Sequence, residues 1–576
     1  MTILGNRWRL TIVAAALAAS LAVGVDAGRA EGPPPKLDLT LSPHPAGGAD
    51  SYLGVRMVLE HPDLKAGAGL MRLPLKLVGI PTARYDGEAL SARDDEGAIP
   101  LSQSEEPPTP QGVYRRWSVT RPTRGDVTVS FHAPPRQVTA ATNNGPLFDL
   151  REEAGAFLGA GVGFMATPVP PGPWRVHLTW DLSAAPAGSR GVWSYGDGAV
   201  DTVLPSEALA FSYYAGGVLK RYPAGDGGRF GYYWATEPPF DPADLAQRIE
   251  KLYGYMSAFF GDTASSYRVF ARSNPYLGTG GTSLAHSFMF GYHAAAKPTA
   301  DSLQLLIAHE MAHTWPAMQG EHGDTAWYSE GTAEYYSLAL SWRAHAIALD
   351  KVVRTLNERA DAYYTNPYRG LTNPQAAEKF WIDPVAQTVP YGRGWLYLVQ
   401  TDAAIRAASK GRRSLDDVVK EMYRRETAKQ PYGIPQWLEL VGREIGPAKA
   451  KAGYDHMVSG GLLKPPADAF APCLSVVSHP ARPFELGFAR SSLNDERVVK
   501  DLVPGSAADK AGVRNGDVIV EVNDVNKVRS DETMAISLTL RRGGTRQTVS
   551  YLPRGAPVEG YRWERNLKAP ASACRF

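Results

Sequence analysis

The hydrophobic periodicity of the chain changes twice, and this constrains its fold more than any other sequence feature. In residues 33–210, short runs alternate apolar and polar side chains between turns rich in Pro, Gly and Asp, as is typical of strands in an antiparallel sheet. From about residue 240 the apolar residues recur at helical spacing, and short alternating runs return after about residue 484. We therefore predict a multidomain α+β protein.

The length of 576 residues is consistent with about three or four domains. The predicted boundaries are a signal peptide 1–30, an antiparallel β-domain 33–215, a mostly helical domain 216–462, a Pro/Ala-rich linker 463–483, a β-rich domain 484–556 and a tail 557–576. The predicted strands include Lys36–Leu41, Ser51–Leu59, Leu73–Val78, Asp126–His132 and Trp174–Asp181. The predicted helices are Asp241–Phe260, Ala300–Gln319, Trp327–Asp350, Val352–Tyr364, Tyr391–Ala408 and Ser414–Glu426.

The N-terminus has the pattern of a secretory signal. Arg7 and Arg9 precede an apolar run from residue 10 to 25, and small residues allow cleavage after Ala27 or Ala30. A membrane anchor is the alternative, but the run is short and rich in Ala. We predict an exported protein, periplasmic or secreted, with no transmembrane segment in the mature chain.

Charge and cysteine content exclude several classes of protein. The chain has 61 Lys+Arg against 59 Asp+Glu, which argues against a dedicated nucleic-acid binder. Two cysteines, Cys473 and Cys574, are too few for a Cys-rich metal framework. In an exported protein they could form a disulfide that closes a loop of about 100 residues; two unrelated thiols are the alternative, and we favour the disulfide.

The most specific motif is HExxH, with His309 and His313 four residues apart on a predicted helix and Glu310 between them. Both imidazoles project from one helical face and can hold one zinc ion. Glu310 is placed to act as general base toward a water that the metal activates. Two structural histidines on a buried helix are the weaker alternative.

A catalytic zinc site needs a third protein ligand and one open position. Glu330 follows His313 after 16 intervening residues, a gap that suits a return along a second, antiparallel helix. Glu334, one turn later on the same face, is the competing candidate. We predict Glu330 as the ligand. Glu334 is then either a carboxylate that accepts a hydrogen bond from a ligand imidazole or a solvated helix charge.

The segments HEMAHTW and WYSEG resemble the gluzincin metallopeptidases, the clan that includes aminopeptidase N, and within it the glycyl aminopeptidase family. This resemblance implies an N-terminal β-domain, a thermolysin-like catalytic domain, a zinc cofactor and peptide or protein substrates. The clan has an oxyanion-binding tyrosine in a Tyr-x-Lys-Gly context about 60 residues past the glutamate ligand. Tyr391 lies 61 residues beyond Glu330, and Arg393 stands in place of the lysine.

The same resemblance points to a substrate-binding strand upstream of HExxH, where the glycyl aminopeptidase family reads Gly-Leu-Glu-His. The corresponding residues here are Ser283-Leu284-Ala285-His286, preceded by Gly280 and Gly281. Ala285 stands where the glutamate would hold the free α-amine of a substrate. We therefore predict a zinc peptidase with altered N-terminal preference, either an aminopeptidase-like enzyme or an endopeptidase.

The C-terminal region resembles a PDZ domain of the bacterial protease type, on the segments FELGF and VVKDLVPGSAADKAGVRNGD. PDZ domains capture a peptide carboxylate with backbone N–H groups, which the resemblance assigns to Leu486, Gly487 and Phe488. A peptide ligand for this domain and mere docking against the catalytic domain are both open. The rival to a peptidase is a non-catalytic peptide-binding or chaperone-like protein with a degenerate cleft.

Overall fold

The computed structural model describes residues 33–570 except 78–79, 110–111, 141, 143–144, 171, 226, 277–279, 384 and 494–496. The predicted signal peptide and Cys574 lie outside the described residues. Within the described ranges, no helix has the length and apolar character that a membrane crossing requires.

The N-terminal region is built from strands and one short helix. Its elements are β1 (Lys36–His44), β2 (Tyr52–Leu59), β3 (Gly69–Leu77), β4 (Ile80–Pro81), β5 (Leu90–Asp94), β6 (Gly97–Ile99), β7 (Leu101–Glu105), β8 (Gly112–Val119), β9 (Val127–Ala133), β10 (Arg151–Glu153), β11 (Ala156–Ala160), β12 (Thr167–Pro168), β13 (Pro173–Trp180), β14 (Arg190–Trp193), β15 (Gly196–Asp197), β16 (Val200–Pro205), α1 (Ser206–Ala210) and β17 (Tyr213–Gly217).

These strands form three sheets, of which the largest has the order β16-β13-β1-β2-β9-β5-β6. Successive side chains of a strand point to opposite faces of the sheet, which explains the burial pattern of β1. The side chains of Leu37, Leu39 and Leu41 are fully buried, while the residues between them are half-buried. The predicted antiparallel β-domain is confirmed with one difference. Strands β1 and β13 pair in parallel, whereas the other described pairs in these sheets are antiparallel.

The central region combines a five-stranded sheet with helices. Its strands are β18 (Lys220–Tyr222), β19 (Phe230–Trp234), β20 (Tyr267–Ser273), β21 (Gly280–Leu284) and β22 (Ser287–Tyr292). Its helices are α2 (Pro242–Phe260), α3 (Ala300–Ala312), α4 (His322–Arg343), α5 (Leu349–Tyr364), α6 (Asn373–Phe380), α7 (Val389–Ser409), α8 (Leu415–Thr427), α9 (Ile434–Ile445) and α10 (Pro447–Val458). The sheet order is β18-β19-β20-β22-β21, so β21 is an edge strand.

All six predicted helices are present, but their ends differ from the predicted positions. Helix α3 ends at Ala312 rather than at Gln319, because Pro316 cannot continue a helix and its ring would clash with the carbonyl of Ala312. Helix α4 begins at His322, five residues before the predicted start at Trp327. Three short helices, α6, α9 and α10, were not predicted from the sequence.

The C-terminal region contains β23 (Leu474–Ser478), α11 (Ala507–Lys510), β24 (Val518–Val522), α12 (Val525–Ser530), β25 (Ile536–Arg542), β26 (Thr545–Tyr551) and β27 (Tyr561–Arg565). Strands β24, β25 and β26 form one antiparallel sheet. They enclose a small core of their own, which includes Ile519, Val528 and Leu538.

The segments predicted as a linker and a tail instead form a two-stranded antiparallel ribbon, β23–β27. Trp563 in β27 is 1% exposed and packs against Trp395 and Phe470, with ring centroids 5.5 and 6.0 Å apart. Asn357 on α5 exchanges two hydrogen bonds with the backbone of Trp563, at 2.8 and 3.0 Å. The β23–β27 ribbon is therefore part of the helical core, and local sequence could not show it because its two strands are far apart in the chain.

The ribbon yields a stability prediction. Trp563→Ala should lower the free energy of unfolding by about 3–5 kcal/mol, because a buried indole is lost and a cavity remains. Leu567→Ala, at a side chain that is 84% exposed, is the control and should change stability by less than about 0.5 kcal/mol. Urea denaturation followed by circular dichroism measures both. Equal urea denaturation midpoints for the two variants would show that the ribbon does not stabilise the fold.

Candidate metal centre

Helix α3 presents the two histidines of the HExxH motif. The helix starts at a capping box in which the Thr299 side chain accepts from the backbone of Ser302 and the Ser302 side chain accepts from the backbone of Thr299. His313 is the first residue past its C-terminal end, but its backbone remains helical, with φ −62° and ψ −12°. The imidazole of His313 therefore stays on the same face as that of His309.

Three donor atoms converge from α3 and α4. Nε2 of His309 lies 3.2 Å from Nε2 of His313 and 3.4 Å from Oε2 of Glu330, and the third edge of this triangle is 3.6 Å. In a tetrahedral zinc site, donor atoms about 2.0–2.2 Å from the metal lie about 3.3–3.6 Å from one another. His309, His313 and Glu330 therefore fit the zinc ligand set. Within the described residues, no other group of three or more His, Cys, Asp or Glu side chains has donor atoms close enough together to hold one metal ion.

The electrostatics of the site also suit a cation. Burial raises the pKa of Glu330, because water no longer stabilises its charge. Burial lowers the pKa of His309, but its contacts with Glu330 and Glu334 outweigh burial and raise that pKa to about 10. Burial and the neighbouring His309 hold the pKa of His313 well below its usual range. A buried cluster in which carboxylates outnumber cationic side chains is stabilised when it binds a metal ion.

Helices α4 and α7 touch backbone to backbone next to Glu330. A Cβ atom added to Gly331 would lie 2.6 Å from the carbonyl carbon of Gly394, and one added to Gly394 would overlap the carbonyl of Trp327. Glycine at both positions permits this approach. The contact brings Glu330, which precedes Gly331, close to Tyr391 in the first turn of α7.

Tyr391 lies at the metal centre. Its ring stacks on that of His309, with centroids 5.9 Å apart and an interplanar angle of 10°. Burial raises the pKa of the Tyr391 phenol well above its usual range, and the nearby carboxylates and a hydrogen bond to Glu330 add to this effect. The hydroxyl therefore stays protonated and can serve as a hydrogen-bond donor.

Glu310 is fully buried beside the ligands. The Ser283 hydroxyl lies 2.7 Å from Oε2 of Glu310 and 2.8 Å from its backbone carbonyl. In the described part of the chain, Oε1 of Glu310 has no hydrogen-bond partner. Burial raises the pKa of Glu310 to about 7. Ser283 holds one of its carboxylate oxygens. Sequence reasoning did not assign Ser283 a role, since nothing local shows that β21 faces α3.

Two further side chains contact the ligand imidazoles. Oε1 of Glu334 lies 3.1 Å from Nδ1 of His309, and the hydroxyl of Ser329 lies 3.4 Å from Nδ1 of His313. Burial raises the pKa of Glu334, but the guanidinium of Arg359 and the imidazole of His309 together outweigh burial and lower that pKa. Glu334 is thus a buried, ionised carboxylate and not a solvated helix charge. Neither Ser329 nor Arg359 was identified from the sequence.

The predicted substrate-binding residues lie on β21 and in the turn that follows. Gly280 and Gly281 belong to the edge strand, and a Cβ on Gly281 would overlap the ring of Phe288. Ala285 and His286 form the two-residue turn between β21 and β22, with φ +47° at His286. Both turn residues are half-buried, and neither carries a carboxylate.

Arg393 does not extend toward the predicted substrate site. Its guanidinium donates to Oδ1 of Asn373 at 2.5 Å and to the backbone carbonyls of Arg369 and Leu371. Two residues along a helix project in nearly opposite directions, so Tyr391 faces the metal centre while Arg393 faces the 369–373 segment. We correct the predicted role of Arg393 from substrate binding to support of this segment.

The predicted carboxylate-binding loop of the C-terminal domain is largely packed inward. The side chains of Leu486 and Phe488 are 7% and 6% exposed, and the carbonyl of Gly487 accepts from the backbone of Val503 at 2.8 Å. Residues Arg490–Leu493 then form a 3₁₀ turn, so in the described part of this segment no strand follows the loop. Peptide binding by Leu486, Gly487 and Phe488 stays a prediction.

The predicted disulfide also stays a prediction. Cys473 is 1% exposed and lies in the helical core just before β23. Its predicted partner, Cys574, is outside the described residues.

Comparison with known proteins agrees with this architecture. A family model described as a PDZ domain matches residues 498–538, and a search of curated proteins finds no match. The crystal structure of an aminopeptidase N family protein from Idiomarina loihiensis is similar with a TM-score of 0.63 and 15% identity, over 92% of this chain and 98% of that one. An M1 zinc metallopeptidase from Deinococcus radiodurans gives a TM-score of 0.45 and 18% identity, over 75% of this chain and 96% of that one.

The chain therefore has the fold of an aminopeptidase N family protein and carries a PDZ domain near its C-terminus. The predicted likeness in fold to aminopeptidase N and the predicted three-part α+β architecture with a C-terminal PDZ domain are confirmed.

The glycine contact yields a prediction about metal binding. Gly331→Ala should push α4 away from α7, weaken zinc binding and lower the free energy of unfolding by about 1–3 kcal/mol, because the added methyl group overpacks the contact. Gly254→Ala is the matched control, since a Cβ at this exposed position on α2 meets no atom within 4 Å, and it should be neutral or stabilising by up to about 1 kcal/mol. Zinc titration and thermal unfolding measure both effects. Wild-type zinc affinity in Gly331→Ala would contradict the role of this contact.

Proposed function

We propose that this protein is an exported zinc metallopeptidase that hydrolyses peptide bonds and is aminopeptidase-like. The observation that carries the proposal is the triangle of donor atoms from His309, His313 and Glu330, with edges of 3.2, 3.4 and 3.6 Å, beside the unpartnered oxygen of Glu310. This arrangement combines a metal site with a positioned base.

The chain's own residues supply the remaining chemistry. A zinc ion bound by His309, His313 and Glu330 would supply Lewis acidity, which acidifies water and polarises a carbonyl group. Glu310 accepts the proton of the attacking water at Oε1 and returns it to the leaving amine. The Tyr391 hydroxyl donates a hydrogen bond to the negative charge that develops on the carbonyl oxygen. Ser283 holds the other oxygen of Glu310 and so fixes the direction of the base.

The substrate is proposed to lie along β21. Backbone groups on the open side of an edge strand can pair with an extended peptide. In β21 the Thr282 carbonyl already accepts from the hydroxyl of Tyr213. Ser283 in this strand touches Glu310, so a peptide paired with the rest of the edge would pass the metal centre. Peptides and proteins are therefore the proposed substrates.

The turn at Ala285 and His286 supports an altered preference at the substrate N-terminus. An ammonium group held in a cleft needs a counter-charge, and this turn provides none. We propose that the enzyme does not depend on a free α-amine and can act as an endopeptidase. The same missing carboxylate is the observation that favours the rival, a non-catalytic peptide-binding protein; the intact metal centre and Glu310 favour an enzyme.

Two further parts of the proposal rest on sequence patterns. The positively charged and apolar N-terminal segment supports export to the periplasm or beyond the cell. The PDZ domain supports binding of a peptide ligand, as an addition to the substrate cleft.

A substitution at Glu310 tests catalysis. Glu310→Gln should retain zinc and lose about 10²- to 10⁴-fold in kcat, because the amide cannot accept the proton. The matched control is Glu378→Gln, at an exposed glutamate on α6, which should keep wild-type turnover. Hydrolysis of a peptide library and elemental analysis of zinc measure both properties. Undiminished turnover in Glu310→Gln would refute the assigned base, and zinc without turnover in the wild type would favour the binding protein.

Blocking the substrate amine tests the specificity. N-acetylated and free peptides of the same sequence should be cleaved with kcat/KM values within about tenfold of each other. An enzyme that anchors the ammonium with a charged hydrogen bond would lose about 10- to 150-fold on acetylation, since such a bond contributes about 1.5–3 kcal/mol. A strict requirement for a free amine would refute the endopeptidase proposal and leave the zinc chemistry intact.

A further inference from the structure

Arg359 on α5 is buried beside Glu334, with side chains that are 9% and 8% exposed. The guanidinium forms an ion pair with the Glu334 carboxylate. It also donates to the backbone carbonyl of Glu334 and, at 3.1 Å, to the hydroxyl of Ser337. Arg359 therefore holds both the side chain and the backbone of the residue that contacts His309.

The position of Glu334 is electrostatically costly without a cation. Glu334 and Glu330 are both buried, with side chains that are 8% and 2% exposed. Two buried carboxylates at one site repel each other. An ionised Glu334 requires a compensating charge within contact distance, and Arg359 is in that position.

We propose that Arg359 is a positioning residue for the metal centre. It keeps the Glu334 carboxylate oriented toward Nδ1 of His309, so that Nδ1 carries the proton and Nε2 is left to the metal. Such partners of a ligand imidazole fix its tautomer and ring orientation. This inference rests on the proposed zinc binding by His309, His313 and Glu330.

The β23–β27 ribbon supports Arg359 from the other side of α5. Asn357 bonds the backbone of Trp563, and Asp361 forms an ion pair with Arg562 at 2.7 Å. These two residues lie one turn apart on one face of α5, and Arg359, midway between them in sequence, projects from the opposite face. Helix α5 therefore sits between the ribbon and α4, which fixes the distance from Arg359 to Glu334.

The test compares zinc affinity in three variants of the full chain. Arg359→Met should weaken the Kd for zinc about 10- to 100-fold, the range seen when a partner of a ligand is removed, and Arg359→Lys should recover part of this loss. Arg354→Met, at an exposed arginine on the same helix, is the control and should bind zinc like the wild type. Competition with a chromogenic chelator gives each Kd. Thermal unfolding of the metal-free proteins shows that each variant folds.

A double-mutant cycle separates positioning from simple support of the fold. If Arg359 acts through Glu334, the losses in zinc affinity for Arg359→Met and Glu334→Gln should not add in the double variant. The visible spectrum of the cobalt-substituted protein should also change in Arg359→Met. An unchanged Kd and cobalt spectrum with lowered thermal stability would overturn the proposal. Absence of zinc binding by the wild type would instead refute the proposed function on which it rests.

Discussion

The backbone contact between α4 and α7 is the constraint on which the metal centre depends. Helices normally stand 8–10 Å apart because side chains separate them, but Gly331 and Gly394 allow their backbones to meet. Glu330 precedes the first glycine, and Tyr391 is three residues before the second. The same contact therefore sets the position of Glu330, a predicted metal ligand, relative to the Tyr391 phenol that stacks on His309.

Around this contact the protein buries a group of ionisable side chains that apolar packing alone would not tolerate. Glu310, Glu330, Glu334, His309 and Arg359 are held together inside the helical core, where each charge must have a partner. Arg359 balances Glu334, and the remaining carboxylates are balanced when a cation occupies the ligand triangle. Large buried aromatics such as Trp327 and Trp395 belong to the same helical core.

The other parts of the chain complete the site rather than standing apart from it. The edge strand β21 meets the N-terminal region, since the Thr282 carbonyl accepts from the hydroxyl of Tyr213 at 3.0 Å. The β23–β27 ribbon packs on the face of α5 that lies opposite Arg359. Both strands of the ribbon therefore contact the helical core. The proposed peptide substrate would therefore meet a site to which the N-terminal, central and C-terminal regions all contribute contacts.

The class of fold and the candidate ligand group His309, His313 and Glu330 could both be predicted from the sequence. HExxH lies within one helix, so its geometry is local, and the alternation in strands such as β1 is local too. Only the tertiary structure decided that Arg393 turns away from the cleft, that Ser283 and Arg359 hold Glu310 and Glu334, and that residues predicted as linker and tail pair as a ribbon. These features depend on contacts between segments far apart in the chain, for which side-chain type and spacing carry no information.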